Sequence, residues 1–489
     1  MKIRKLLCLI LAGTLAASML TGCREEEETP GTKDINPTGE TITLRILEND
    51  TAKKKGYFEE LLNAFNASYA DKGIVAVDAD MDEYSDLATN GPYGYGPDVL
   101  YQANDILMKY AEDKHILPLT IEDFDCYEYT PAEAWDAFNI KVDGQVYCCG
   151  VPVNIQEPML YYRNDMLPSD WESKWDKDGN KTPDFTENFN DLYKISKEIR
   201  DSDSSKYGFM SSFNDMYMNA EFFLSYGGYV FGKNDGVFDI ADIGVDSGNA
   251  YKGIMALRQF AALMNEGCID DTVTSNRYEK LANGDYLCAV STPDTYALFI
   301  DKLALAYEGE GKSEEEARKL AEENLVMAEL PRKMPANGDL SQDAATMSSD
   351  DFVDTIVMGG VNGYGVSAYT RHREAAIEFV NFATSFDMIS KRMEILGIAP
   401  TRSDVAKASG GTTDMIFSSL QSGKIYLMPS VKAIDQVWVP MQTLMGDIAK
   451  DPFRDALGEN AKYAGEEEVK AALSKAHDDI YNAIFTMAK

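Results

Sequence analysis

From Asp176 to Glu187 the chain runs DKDGNKTPDFTE, with oxygen-bearing side chains at loop positions 1, 3, 5, 9 and 12: Asp176, Asp178, Asn180, Asp184 and Glu187, and Thr182 at the seventh. An EF-hand loop uses this spacing to wrap about 6–8 oxygens around Ca²⁺, the twelfth carboxylate binding through both oxygens. Lys181 stands at the sixth position, where such loops carry glycine; Gly179 is displaced and Pro183 follows. A structural calcium site and an acidic solvated turn fit the stretch equally. The three histidines, His115, His372 and His477, are isolated, and none is spaced to share a metal with another. Nothing else pairs a base with a nucleophile. The remaining chemistry is that of carboxylates and amides, which accept and donate hydrogen bonds in the pattern a polyhydroxylated small molecule requires.

Those side chains need a frame. Ile42, Leu44 and Ile46 alternate as a strand does, and Phe58, Leu61, Leu62, Phe65 and Tyr69 recur at helical spacing. Val75 and Val77 begin a second strand, Pro97 to Tyr101 holds a third, and a helix follows from Asp105 to Lys114. Open α/β sheets place ligands at the carboxyl ends of their strands. One rim therefore collects Glu48, Asn49 and Asp50 after the first strand and Gln102 to Asp105 after the third. Asn49, Asp50 and Asp105 also fit helix-capping positions. Farther on, Val142 to Pro168 predicts a strand, an extended crossover held by Pro152, and a second strand. Asn154 to Pro158 sets polar groups where two lobes would face each other, a place where small-molecule sites concentrate.

The chain has 489 residues, beyond the roughly 250–300 at which one core stops growing, so two lobes are expected. Lys2, Arg4 and Lys5 precede an apolar run from Leu6 to Leu20, shorter than the roughly 20 residues a spanning helix needs. Leu20-Thr21-Gly22-Cys23 resembles the lipobox of bacterial lipoproteins, so residues 1–22 are expected to be a signal peptide and Cys23 the lipidated first residue. Residues 23–40, rich in Glu, Pro, Gly and Thr, predict an acidic tether. A net charge of −35 argues against nucleic acid as a partner and leaves membrane attachment to the lipid. Five further cysteines, Cys126, Cys148, Cys149, Cys268 and Cys288, cannot all pair within one chain; buried free thiols are favoured over a Cys268–Cys288 bridge.

GPDVLYQANDILMKYAEDKHILPLT and DGQVYCCGVPVNIQEPMLYYRNDML, followed by Gly227-Gly228, DIGVDSGNAYKGIMALRQFAALMNEG and LANGDYLCAVSTPDTY, resemble the extracellular solute-binding proteins of the maltodextrin-binding type. The resemblance spans Thr41 to Lys489. It implies an α/β, two-lobed periplasmic-binding-protein-like fold with discontinuous lobes on a three-segment hinge. The crossings are expected near Val151 to Pro158, Val290 to Thr295 and Val366 to Thr370. The N-terminal lobe would then be 41–152 with 295–368, and the C-terminal lobe 156–291 with 371–489. Carried over to this chain, the ligand set would be Asn49, Asp50, Gln102 and Asp105 from the first lobe, and Gln156 and Glu157 from the hinge. Phe213, Tyr217, Tyr296 and Trp438 are the aromatic candidates for stacking on sugar faces, and most aromatic residues in so aromatic a chain pack in cores. Gln102 stands where maltodextrin binders often carry an aromatic residue. The resemblance further implies an exported, lipid-anchored monomer that binds an oligosaccharide such as a maltodextrin, passes it to an ABC permease on the outer face of the cytoplasmic membrane, requires no cofactor and does no bond chemistry. The alternatives are an exported glycoside hydrolase, for which Glu157 would be the buried general acid, and a glycan-binding surface protein without transport.

Overall fold

Two sheets carry the fold in a computed structural model that describes residues 35–36, 39–83, 85–142, 144–234, 237–264 and 271–486. The expected signal peptide, Cys23, most of the tether and Cys268 lie outside the described residues. Strand Ile42–Leu47 buries its alternating Ile42, Leu44 and Ile46 and pairs in parallel with Ile74–Asp78 and Val99–Ala103. Val357–Val366 runs antiparallel to Val99–Ala103 and to Val151–Gln156, and parallel to Ile425–Leu427; Ala399–Pro400 closes the far edge of this seven-stranded sheet. The second sheet is four-stranded, in the order Leu325–Glu329, Met159–Arg163, Tyr286–Ser291, Tyr207–Met210.

The glycine-rich run from Gly359 to Gly365 lies within Val357–Val366, a strand buried along its whole length between neighbours on both sides. A Cβ at Gly363 would stand 2.5 Å from the Val151 carbonyl oxygen and 2.7 Å from the Phe138 ring. Glycine there is a packing requirement, because the neighbouring backbone occupies the space a side chain would take.

The strand pairings correct the expected lobe boundaries. The first crossing lies at Glu157-Pro158, within the expected stretch, since Gln156 pairs with Gly360 in one sheet and Met159 with Ser291 in the other. The second is not at Val290 to Thr295. After Ser291 the chain forms helices Tyr296–Gly309 and Glu314–Asn324 and returns as Leu325–Glu329 beside Met159–Arg163, so 296–329 belongs to the second lobe and the crossing falls between Glu329 and Val357. Nor is the third at Val366 to Thr370. Helices Arg373–Ala383 and Phe386–Leu396 pack on helix Tyr57–Ser68, which keeps the chain in the first lobe through Pro400. The return follows Leu427 and ends in helix Trp438–Lys450, which with the terminal helix Glu466–Phe485 packs on Ala250–Ala261 of the second lobe.

One ion pair locks the first lobe internally. Arg392, 1% exposed, holds Glu48, 0% exposed, through two hydrogen bonds of 2.9 and 3.0 Å; the Tyr364 hydroxyl donates to the same carboxylate at 2.7 Å. The guanidinium lies over the rings of Tyr101 and Tyr57 at 4.0 and 4.8 Å. Glu48, which the strand-end argument put on the rim, is therefore a core residue. Among the described residues no helix is long and apolar enough to cross a membrane, and Cys126, Cys148, Cys149 and Cys288 are buried free thiols.

Candidate functional site between the lobes

Asp105 is in the first turn of helix Asn104–Glu112, at the carboxyl end of strand Val99–Ala103. Its Oδ1 is buried with no hydrogen-bond partner, and burial raises its pKa. Across from it, the loop after strand Tyr207–Met210 presents Asp215 and Tyr217, and the turn after Tyr286–Ser291 presents Asp294. Tyr217 donates through its hydroxyl to the Gln156 carbonyl at 3.3 Å. Burial pushes the tyrosine pKa upward, and the charges of Glu157, Asp294, Asp105 and Asp215 push it in the same direction. The phenol therefore stands amid carboxylates from the first lobe, the hinge and the second lobe.

Burial also raises the pKa values of Asp215 and Asp294, which keep partial solvent exposure but lie deep between the walls. Arg277 acts against both shifts, whereas Glu83 of the first lobe adds to the shift on Asp294. Asp294 Oδ1, like Asp105 Oδ1, is buried without a partner. Each lobe thus contributes a desolvated acceptor oxygen that nothing in the protein satisfies. A short distance along the second-lobe wall, Trp438 lines a cavity of about 440 Å³ with Ser212, Asn214, Asp215, Met216, Ser275 and Gln442.

The other predicted positions are distributed differently. Asn49 caps helix Asp50–Lys54, accepting from the Ala52 amide at 2.8 Å. Asp50 pairs with Lys54 at 3.1 Å and is exposed. Gln102 donates to the Glu83 carbonyl, which fixes the loop that carries Glu83. Phe213 is 0% exposed in a cluster with Phe209, Phe222 and Phe260, so it has no face to offer a ligand. Tyr296 begins a second-lobe helix and feels the charges of Glu322 and Arg318 on the neighbouring helix, away from the cleft carboxylates.

Glu157 is 3% exposed at the first crossing with Oε1 unpartnered; burial first, then the charge of Glu329, pushes its pKa well above the ordinary range. It belongs to the hinge, where it lines a cavity of about 20 Å³ with Glu329, Arg332, Thr355, Ser419 and Lys424. Sequence reasoning missed Glu83, Asp215, Arg277 and Asp294, and it placed Asn104 on the rim without the role its burial gives it. Asn104 donates to the Met428 carbonyl at 2.9 Å and to Ser430 Oγ at 3.1 Å, and accepts from the Val361 amide at 3.2 Å. It ties the first-lobe rim to the third crossing. Of these, Asp215 and Asp294 follow second-lobe strands, Tyr207–Met210 and Tyr286–Ser291, the position where open α/β sheets place ligands.

In the calcium-spaced loop, among the described residues no three carboxylate, histidine or cysteine side chains already converge on one point. Asp176 Oδ2 accepts from the Lys181 amide at 3.0 Å, Lys177 reaches Asp184 and Asp191, and the Asn180 amide donates to Asp178 and Glu187.

Comparison with known proteins joins this geometry to a family. The model of the bacterial extracellular solute-binding proteins matches residues 49–387. The galactooligosaccharide-binding protein of Bacillus subtilis is 24% identical over 88% of this chain and 90% of its own length. The maltodextrin-binding protein MdxE of the same organism is 28% identical over 50% of this chain and 52% of its length. Among solved structures, a cyclo/maltodextrin-binding protein with maltotetraose superposes with a TM-score of 0.66 at 18% identity, covering 94% of this chain and 100% of that one. The extracellular solute-binding protein of Staphylococcus aureus with maltose gives 0.64 at 17%, covering 91% and 99%. These likenesses show the two-lobed fold, and relatives and fold neighbours alike are binding proteins and not enzymes. The chain belongs to the bacterial extracellular solute-binding protein family.

Proposed function

We propose that this protein is the substrate-binding component of a carbohydrate ABC importer, lipid-anchored through Cys23, and that it takes an oligosaccharide of the maltodextrin kind between its lobes. The observation that carries the reading is the pair of unpartnered acceptors, Asp105 Oδ1 on the first lobe and Asp294 Oδ1 on the second, flanking Tyr217. A buried acceptor without a donor costs about 1–3 kcal/mol, and more when it is charged. Sugar hydroxyls supply donors to both lobes at once, so bound ligand favours the form in which the lobes approach. Tyr217 and Trp438 offer aromatic surface for the apolar faces of the rings. A ligand shifts the open–closed equilibrium only through its differential affinity for the two forms, and contacts that need both walls supply that difference. The names of the relatives support the sugar class; they divide between gluco- and galacto-oligosaccharides.

Calorimetric titration of the mature chain with malto-, galacto-, xylo- and manno-oligosaccharides tests the reading, with each saturated mixture assayed for cleavage. Saturable binding of one series with intact sugar is expected. If no sugar binds, the assignment to carbohydrate fails; if bound sugar is cleaved, the non-catalytic reading fails.

A further inference from the structure

The segment 176–187 connects the neighbourhood of strand Met159–Arg163 to helix Phe189–Ser202 on the second lobe and takes no part in the cleft. We propose that it is a Ca²⁺ site, with side-chain oxygens of Asp176, Asp178 and Asn180, the Thr182 carbonyl and both oxygens of Glu187 as ligands. Six protein oxygens fall within the roughly 6–8 that Ca²⁺ takes.

Asp176 points to a ligand independently of the spacing. The residue is 9% exposed and its Oδ1 has no hydrogen-bond partner. Its other oxygen accepts from the Lys181 amide at the centre of the loop, so the orphaned oxygen is held within the turn. A buried carboxylate oxygen without a donor is costly to leave unmet, and a cation meets it. Lys181 itself removes the objection raised by the missing glycine, because its φ of 65° is the left-handed conformation that the sixth position needs for the sharp turn. Gly179 adopts φ 75° two residues earlier.

The rest of the ligand set is close at hand. Asn180 Nδ2 donates to Asp178 Oδ2 at 3.1 Å and also to Glu187 Oε1, so one donor already bridges loop positions 3 and 12. A cation takes over that bridging and draws Glu187 inward. At position nine, Lys177 holds Asp184 through its amide at 3.1 Å and its ammonium at 3.4 Å; that position commonly acts through water in such loops. The metal would also reach the hinge. Glu187 accepts at its carbonyl from the Lys333 amide at 3.1 Å, and Asn188 bridges Lys333 while capping the following helix. Lys333 lies in the second crossing, so ordering this loop fixes where that strap leaves the lobe.

The test uses the full chain stripped of metal with a chelator. Calorimetry with Ca²⁺ is expected to show one site per chain, in the 10⁻⁴–10⁻³ M range of extracellular calcium modules or tighter. Tb³⁺ is expected to emit on excitation of Trp175, which leads into the loop, with Ca²⁺ displacing it and equal Mg²⁺ not. Asp178→Ala, at an exposed position, and Glu187→Gln are each expected to weaken Ca²⁺ by about tenfold or more with unchanged circular dichroism. A rise in Tm with Ca²⁺, lost in both variants, would agree. Absence of saturable Ca²⁺ binding up to about 10 mM, a range beyond the weakest such modules, overturns the proposal. So does an affinity that both variants leave unchanged.

Discussion

Arg392 keeps its charge at a site with almost no water because its two terminal nitrogens meet a two-point carboxylate in Glu48 and a tyrosine hydroxyl and its plane lies over two ring faces, although its Nε is buried without a partner. Removing one member leaves the other charged and unmet. Arg392→Ala is expected to cost about 3–5 kcal/mol in chemical denaturation, and the paired replacement Glu48→Gln/Arg392→Met to cost clearly less than Arg392→Ala alone. Equal losses in the two would sink this account. Glu221 is the opposite case, 0% exposed with both carboxylate oxygens unpartnered, and burial lifts its pKa from 4.5 to about 8. Its folded value lies above its unfolded value, so as pH rises the unfolded chain loses this proton first. The neutral acid's contribution to stability is complete below about pH 4.5 and is lost by about pH 8. Glu221→Gln should remove a pH-dependent loss of roughly 3–5 kcal/mol across that window, one pKa unit being about 1.4 kcal/mol. Parallel pH–stability curves for the two proteins would refute the assignment. In the cleft, Trp438→Ala is expected to raise the Kd for the bound sugar about tenfold or more, roughly 1.4 kcal/mol, without loss of fold, since the ring is only partly buried. At this scale the sequence was informative about residue type and poor about surroundings. Asp105 and Trp438 line the cleft or its wall, whereas Phe213 is core and Asn49 a cap, and no local pattern distinguishes an aromatic residue facing a cavity from one facing other aromatic residues.

Elements were more legible than their partners. The period of two in Ile42 to Ile46 and the helical spacing from Phe58 to Tyr69 appear in the structure where the pattern placed them, because one-sided burial imposes its own period on the residue types. Val357–Val366 escaped that reasoning. Buried on both faces, it has no alternation to detect, and its glycines imitate a loop. Gly363→Ala tests the packing explanation directly. The added methyl meets a backbone oxygen and a ring within 2.7 Å, and overpacking of this kind costs typically about 1–3 kcal/mol. Stability within error of the parent chain would mean that the strands separate more easily than the packing suggests. The misplaced crossings have a related cause. The strands and helices that receive Leu325–Glu329 and the helix Arg373–Ala383 lie more than a hundred residues away, and pairing over such a distance leaves no trace in local periodicity.

At the scale of the molecule, the crossings meet near one point. Glu157 and Pro158 of the first, Glu329, Leu330, Arg332 and Thr355 of the second and Lys424 leading into the third surround the same small cavity. Carboxylates face each other on either side of the cleft, Glu83 on one wall and Asp294 on the other, so approach of the lobes without an intervening donor is opposed by like charge. In the binding mode proposed above, a neutral sugar would interpose hydroxyl donors and relieve that opposition. The arrangement has measurable consequences. The radius of gyration from small-angle scattering should fall on saturation with the sugar that binds by calorimetry. In Trp438→Ala the same end point should be reached at about tenfold higher ligand concentration, because affinity changes while the hinge does not. Moreover, affinity for the neutral ligand should vary less than about twofold between roughly 0.05 and 0.5 M salt, since no charge on the ligand is there to be screened. A uronate-bearing analogue should bind weakly at low salt and improve as salt rises. Binding without any change in the scattering curve would place the ligand on one lobe alone and reject closure as the signal presented to a permease.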